Sequence, residues 1–371
     1  MANIVISANT SWYLYNFRKN TILALINAGH SVTAVSPTDG YSDKIEELGA
    51  TFHHIDIDQG GTNPIRDFIT FVNFVKIYKK NKYDVILNFT PKNNIYSTLA
   101  GRLLKVKVIN NIAGLGSLFI NESITSKIAR SLYKLSQKHA DWIFFQNNDD
   151  LTLFLNNGIA DESLTERLPG SGVDLCRFSV KPADDDGVIR FLLIARMLRE
   201  KGVLHYVEAA RVLRARYGVK VEFNLLGFLA VNNPSAISEP EMQSWVEEGI
   251  VNYLGVSDSV EQEIARVNCM VLPSYYREGV PKSLLEAGAM GKIIVTTDNV
   301  GCKETVDDGI NGFICQPKST DSLVDALDKV ILLSSEEREA MGLASRYKIE
   351  REFDEKLVID KYLSRVEMLL S

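Results

Sequence analysis

Cysteine and histidine are scarce in this 371-residue chain, with four of the first and five of the second. Cys176, Cys269, Cys302 and Cys315 show no CxxC spacing, and no two histidines form an HExxH pair. Disulfide and zinc frameworks are therefore disfavoured, and reduced thiols in a cytosol are the expectation. No run approaches the ~20 apolar residues that span a bilayer, so any membrane role is expected to be peripheral. The opening MANIVISANTSWYLYNF places no charged stretch ahead of an apolar one, and no signal peptide is expected. The net charge of −6 argues against a general nucleic-acid binder. SANTSWYLYNF after the first strand lacks GxGxxG, which disfavours a nicotinamide enzyme. No DxD-type metal site stands out, because Asp149-Asp150 and Asp184–Asp186 read as a helix start and a linker. No cofactor and no metal are expected.

What is present is an ordinary globular composition, 46% hydrophobic and 24% charged, at a length that suits two domains. Short β-branched runs alternate with helical patterns: strands at Asn3–Ser7, Ser31–Ser36, Asp84–Asn88, Val106–Asn110 and Trp142–Gln146, helices at Tyr15–Ala28, Phe68–Lys80, Ile95–Leu104 and Ser126–His139. Gly29 fits the stop of the first helix, and His30 after it reads as structural. The stretch SVKPADDD at Ser179–Asp186 is a linker signal. A second series follows, with strands Ile189–Ala195, Val221–Leu226, Cys269–Leu272 and Ile293–Thr296 and helices Leu204–Tyr217 and Lys282–Met290. The expected fold class is α/β: two Rossmann-like doubly wound domains, 1–178 and 187–353, facing across a cleft. A last amphipathic helix, Asp354–Leu370, is a candidate to return to the first domain.

The most informative segment is Pro273–Lys292, PSYYREGVPKSLLEAGAMGK. Glu278 and Glu286 stand eight apart, which alone means little in a chain with 47 acids. Their frame changes the reading. Glu278-Gly279-Val280-Pro281 forms a loop between strand and helix, with proline at the helix start. Glycine lets the backbone approach a ligand there, and the free amides of the helix start attract an anion such as a diphosphate. Glu286, in the second turn, is placed to accept hydrogen bonds from a ribose diol, Glu278 to face the sugar, and Lys282 to add positive charge. Arg196 and Lys201 of IARMLREKG follow a strand at its carboxyl end. Basic residues there are commonly a solvated turn, but with the glutamate segment they become candidates to grip a diphosphate. Arg199 is expected to point to solvent.

ARMLREKG and EGVPKSLLEAGAMGKIIVTTDNVGCKETVDDGINGF together resemble the retaining GT-B glycosyltransferases of family 4. In the first domain, ISANTSWYLYNFRK, NFTPKNN and NNIAGLGSLF resemble the bacterial members that extend undecaprenyl-diphosphate-linked saccharides. That branch includes α-1,3-N-acetylgalactosaminyltransferases of N-glycan assembly and related O-antigen and capsule enzymes. The resemblance implies transfer of a sugar, with N-acetylgalactosamine favoured, from a UDP-sugar to a polyprenyl-diphosphate-linked saccharide. It implies Arg196 and Lys201 as diphosphate contacts, Glu278 as the contact to the transferred sugar and Glu286 as the ribose contact. Gly279, Val280 and Pro281 would supply backbone donors. Lys92, Gly114 and Gly116 fall on the acceptor side. Two adjacent glycines common after the first strand are replaced by Asn9-Thr10-Ser11, and no first-domain histidine is evident, Asn88 or Lys92 standing near its place. Front-face attack without a protein nucleophile is the implied route, in the cytoplasm at the inner face of the membrane.

Ser126–His139, SKIARSLYKLSQKH, places Lys127, Arg130, Lys134 and Lys138 three, four and four apart, so they are expected on one helical face. Ile128, Leu132 and Leu135 would form the core stripe on another. A plain surface helix fits this pattern, as does contact with anionic headgroups or an acceptor diphosphate. Trp12, Tyr13 and Tyr15 would be packing residues or an apolar lip. Two other functions share the architecture: a UDP-sugar 2-epimerase, against which the few placed histidines speak, and a non-catalytic sugar-binding protein, which would call for a secretion signal.

Overall fold

The computed structural model describes every residue except 59–62, 116–123, 183–185, 230 and 232, and excepts the side chains of Ile124 and Thr125. Two compact units emerge, Met1–Ser171 with Lys356–Ser371, and Gly172–Glu355.

The first unit runs β1 (Asn3–Ser7), α1 (Ser11–Asn27), β2 (Ser31–Ser36), α2 (Ser42–Glu46), β3 (Thr51–His54), α3 (Pro64–Asn81) and β4 (Val85–Asn88). It continues with α4 (Thr98–Leu104), β5 (Lys107–Ile112), α5 (Ile124–Gln137), β6 (Trp142–Phe145), α6 (Asn148–Asn156) and β7 (Thr165–Arg167). Its seven strands are parallel in the order β3-β2-β1-β4-β5-β6-β7. Apolar residues alternate between the two faces of the buried strands: Val5, Ile86 and Val108 pack under α3–α6, Ile4, Ile6 and Leu87 under α1 and α2. The first helix starts four residues earlier than Tyr15, because the Thr10 side chain accepts from the Tyr13 amide and caps it. Trp12, Tyr13 and Tyr15 thereby fall in its first turns and pack as half-buried rings, Tyr13 stacked on Phe17 at 4.9 Å and Tyr15 tilted against Tyr41 at 5.6 Å.

The second unit holds β8 (Ile189–Ile194), α7 (Val203–Tyr217), β9 (Val221–Leu226), α8 (Glu239–Glu247), β10 (Asn252–Tyr253) and α9 (Val260–Ala265). After these come β11 (Cys269–Leu272), α10 (Lys282–Ala289), β12 (Ile293–Thr297), β13 (Gly312–Cys315), α11 (Thr320–Leu332) and α12 (Ser335–Glu352). Its six parallel strands are ordered β10-β9-β8-β11-β12-β13. The last helix, α13 (Glu355–Leu370), buries Val358, Tyr362 and Val366 in the core of the first unit, and the Tyr362 hydroxyl accepts from Asn111 at 2.7 Å.

The first crossover lies before Gly172, not at Ser179–Asp186. Gly172 (φ +70°) touches Glu355 so closely that a Cβ would lie 2.4 Å from its Cα, and the Val173 amide donates to the Phe353 carbonyl. Residues 172–182 are thus held on the second unit. Three of the linker residues, 183–185, lie outside the described residues.

In each sheet the strand order reverses direction once, between β1 and β4 and between β8 and β11. In open α/β sheets, ligands collect beyond the carboxyl ends of the strands at such reversals.

Candidate functional site

The loops leaving β8 and β11 are bound into one assembly. Two glycines make this possible. Gly202 (φ +79°) ends the turn Arg199–Lys201, and a Cβ on it would lie 2.1 Å from the Pro273 carbonyl oxygen. Gly301 (φ +77°) approaches the other side of the β11 loop, where a Cβ would sit 1.7 Å from the Gly279 oxygen. The Tyr275 and Tyr276 amides both donate to the Glu200 carbonyl, at 2.9 and 3.1 Å. Asn299 donates to the Tyr276 and Ser274 carbonyls at 2.6 and 3.2 Å.

At the centre of this assembly Lys201 donates to Glu278 across 2.5 Å, with the two side chains only 13% and 10% exposed. Ser274 Oγ donates to the same carboxylate oxygen at 2.9 Å, and the Lys201 ammonium lies 5.1 Å from the centre of the Tyr276 ring. Burial raises the Tyr276 phenol, the charge of Glu278 raises it further, and Arg196, hydrogen-bonded to it, pulls the other way. Arg196 itself is exposed and forms no ion pair with a described acid. Arg199 differs from expectation: it is half-buried and tied to Glu241 at 2.6 Å. Cys302, beside this cluster, is fully buried, and desolvation pushes its thiol up to about 12. All four cysteines are free.

Glu278, Gly279, Val280 and Pro281 are buried, and the loop delivers the chain into α10. Pro281 has no N–H and so cannot be a backbone donor. It serves instead as the helix cap, its carbonyl accepting from Leu284 at 3.1 Å and Leu285 at 3.3 Å. No side chain caps this helix, so its anion-attracting start is not consumed by a capping oxygen. Lys282 and Glu286 are half-buried on α10. Glu286 makes no side-chain hydrogen bond or ion pair with described residues. Desolvation holds its carboxyl above the usual range, against the opposing pull of Lys282 and Arg177. A desolvated carboxylate without a partner is a ready acceptor for ligand hydroxyls. Tyr276, Ser274 and Asn299 were missed by motif reasoning. The polar and aromatic run SYY directly after a buried strand is the signal that could have found the first two.

The first unit treats its candidates differently. Lys92 pairs with Asp67 at 2.6 Å, both side chains largely buried, and Tyr96 donates to the other Asp67 oxygen. Asn88 is buried in an amide network, accepting from Ser7 and donating to Asn110, which donates in turn to Gln137. It is therefore engaged internally. Gly114 follows β5 with φ +107°, and Gly116 lies outside the described residues. On α5 the stripe assignment is overturned for Ile128 and Leu135, while Leu132 packs partly buried against the core. Lys127, Lys134 and Lys138 are exposed, but Ile128 and Leu135 are exposed beside them, while Ser126, Tyr133, Ser136 and Gln137 face the core. Arg130 turns partly inward, with its Nε buried.

Residues 3–147 match the family described as "Glycosyl transferase 4-like", and residues 189–332 match "Glycosyl transferases group 1". The chain is 28% identical, over 96% of its own length and of the relative's, to the N,N'-diacetylbacillosaminyl-diphospho-undecaprenol alpha-1,3-N-acetylgalactosaminyltransferase of Campylobacter jejuni. It is 24% identical, over 72% of this chain and 71% of the relative, to the UDP-Gal:alpha-D-GlcNAc-diphosphoundecaprenol alpha-1,3-galactosyltransferase of Escherichia coli. Among solved structures, Anabaena HepE in complex with UDP-glucose superposes with a TM-score of 0.80 at 16% identity, over 98% of this chain and all of that one. The fold is GT-B.

Proposed function

Both halves of the chain belong to glycosyltransferase families, and from that premise we propose a retaining transfer of an N-acetylhexosamine, N-acetylgalactosamine first, from its UDP-sugar to an undecaprenyl-diphosphate-linked saccharide. The observation that carries this reading is the Lys201–Glu278 pair beside the uncapped start of α10, flanked by Arg196 and Glu286. Each group answers one part of a nucleotide sugar: Glu286 the ribose diol, Arg196 and Lys201 the diphosphate, Glu278 the sugar hydroxyls. The relatives' alpha-1,3 chemistry on diphosphoundecaprenol supports the acceptor class.

In the proposed step the bond from the anomeric carbon to the β-phosphate oxygen breaks first. The acceptor hydroxyl attacks on the same face, and its proton passes to the departing β-phosphate oxygen. The negative charge growing on the diphosphate is what the protein stabilises, with two cations and the helix amides already in place. This charge supply needs no metal. The lysines on the outer side of α5 would meet an anionic membrane surface where the acceptor resides.

The test is incubation with UDP-N-acetylgalactosamine and a short-chain polyprenyl-diphosphate saccharide, reading the product's anomeric configuration by NMR. An α-linked product supports the reading. A β-linked product removes retention, and conversion of the UDP-sugar without acceptor replaces transfer with epimerisation.

A further inference from the structure

The outer sides of α3, α4 and α5 combine exposed apolar side chains with lysines. All three helices cover the same face of the sheet, contributing Phe74, Tyr78, Ala100 and Tyr133 to one core. Opposite that buried side, Ile65, Phe68, Ile69, Leu103, Ile128 and Leu135 are 46–70% exposed. Large apolar side chains left in water over three neighbouring helices mark a contact surface.

Charge says which kind. On α3, Ile65, Phe68 and Ile69 occupy the first two turns of the outer side, and Lys76, Lys79 and Lys80 follow on it about 17 Å along the axis. On α5, Lys127 and Lys134 alternate with Ile128 and Leu135, and Lys138 follows its last residue directly. None of these six lysines has an ion-pair partner among the described residues. His139 reports the same field: after desolvation, the nearby charges of Arg102 and Lys138 lower its pKa. Within α3, α4 and α5 the one acid among the described residues is Asp67, which is largely buried and neutralised by Lys92. This cationic face belongs to a chain whose net charge is −6. A second copy meeting it in a two-fold pair would set lysines against lysines. An anionic bilayer meets both features: its headgroups attract the lysines and its acyl boundary receives the apolar side chains.

We propose that the outer sides of α3, α4 and α5 form a monotopic membrane-docking face, with Ile65, Phe68 and Ile69 entering the acyl boundary of an anionic lipid surface. The docking rests on the membrane contact proposed above and adds to it an apolar anchor on α3. It orients the enzyme with its first unit against lipid, and no helix long and apolar enough to cross the membrane exists among the described residues.

Flotation of the full chain with vesicles of phosphatidylcholine, with and without phosphatidylglycerol, tests this at about 0.1 M and about 1 M salt. Wild type should bind the anionic vesicles far more strongly than the neutral ones, and part of that binding should survive at ~1 M, where screening reaches about 3 Å. Lys76, Lys79 and Lys80 all changed to Gln should weaken low-salt partitioning about 100-fold, each lysine near such a surface contributing about a factor of five. Phe68→Ser with Ile69→Ser should remove the salt-resistant part, about tenfold or more. Both variants are surface changes, so unchanged thermal unfolding is required of them. Transfer to a water-soluble acceptor without vesicles should equal wild type in both. Equal flotation of wild type and either variant overturns the docking face, as does binding to neutral vesicles alone. A variant that instead converts a dimer to a monomer, with flotation unchanged, assigns the face to self-association and also overturns it. If wild type floats as described but transfers no sugar, the docking stands and the catalytic reading fails.

Discussion

The Lys201–Glu278 pair joins residues 77 positions apart and lends itself to a two-armed test, because its structural and catalytic roles predict opposite outcomes in one variant. At 2.5 Å, with an effective dielectric of about 20, the gross attraction is roughly 6–7 kcal/mol. Desolvation of both groups offsets most of it, so the pair adds little net stability against two neutral residues. Removing one partner is different. Lys201→Met takes the cation away from the Glu278 carboxylate, which keeps the Ser274 hydroxyl among its contacts, and Glu278→Gln leaves the Lys201 ammonium facing the Tyr276 ring. Fully buried orphan charges cost about 3–5 kcal/mol. With 13% and 10% exposure, water reaches these side chains a little, and about 3 kcal/mol is expected for each single variant. For a unit of this size that is a fall of about 6–12 °C in thermal unfolding. The double variant Lys201→Met with Glu278→Gln carries no orphan charge and should return to within about 1 kcal/mol of wild type. Transfer should not return. Singles and double alike should lose about 10²–10³ in turnover, the scale for one charge-stabilising group. Differential scanning calorimetry and a radiolabelled UDP-sugar assay read the two arms. Additive destabilisation in the double variant would refute the pairing argument, and near-normal transfer by the double variant would refute the catalytic one.

Arg196→Ala should fold normally, since its side chain is exposed, and lose about 10²–10³ in turnover with weaker donor binding; near-wild-type kinetics would remove it from the diphosphate. Excess EDTA should leave transfer intact, and loss restored by Mg²⁺ or Mn²⁺ would show that a metal supplies charge assigned here to side chains. Glu286→Gln should raise the donor KM about 10–100-fold, the scale for hydrogen bonds to a charged group. The same variant has a pH signature. The folded-state pKa of Glu286 is raised, so its stabilising contribution is present below the unfolded value of 4.5 and is lost as pH rises through the folded value. Glu286→Gln should therefore unfold at higher temperature than wild type near neutral pH and match it at about pH 4. A variant less stable than wild type at neutral pH contradicts that sign.

Much of the site was legible because its signals are local. The alternation of short buried runs with helical patterns marks both sheets, and EGVPKSLLE places a glycine, a helix-starting proline and two carboxylates within one strand-to-helix turn. Local pattern does not state which distant loops meet. That Lys201 closes onto Glu278 depends on Gly202 and Gly301, whose missing Cβ atoms let three loops approach within contact distance. The second unit's α8, α9, α11 and α12 lie outside the segments recognised by alternation. Of these, α8 and α12 begin with capping boxes, at Ser238 with Glu241 and Ser334 with Glu337. Those four-residue signals were present in the sequence.

The α5 helix shows where hydrophobic pattern misleads. Its leucine and isoleucine positions suggest a core stripe of Ile128, Leu132 and Leu135, yet of these Leu132 alone packs against the core, and the helix buries Tyr133, Ser136 and Gln137. The reason lies in the sheet beneath it. Asn88 and Asn110 are buried on β4 and β5, and such amides are stable only when hydrogen-bonded. Gln137 accepts from Asn110 at 2.8 Å and donates to the Asn94 carbonyl at 2.8 Å, closing that network. Turning α5 to bury Ile128 and Leu135 instead would withdraw Gln137 and strand several amide groups at about 1–3 kcal/mol each. That exceeds or matches the roughly 1.5–3 kcal/mol available from each apolar side chain. The polar network therefore sets the helix rotation, and the rotation in turn leaves isoleucine and leucine outside among lysines. The α5 part of the face proposed to dock on lipid is thus a consequence of satisfying the amides of the neighbouring core.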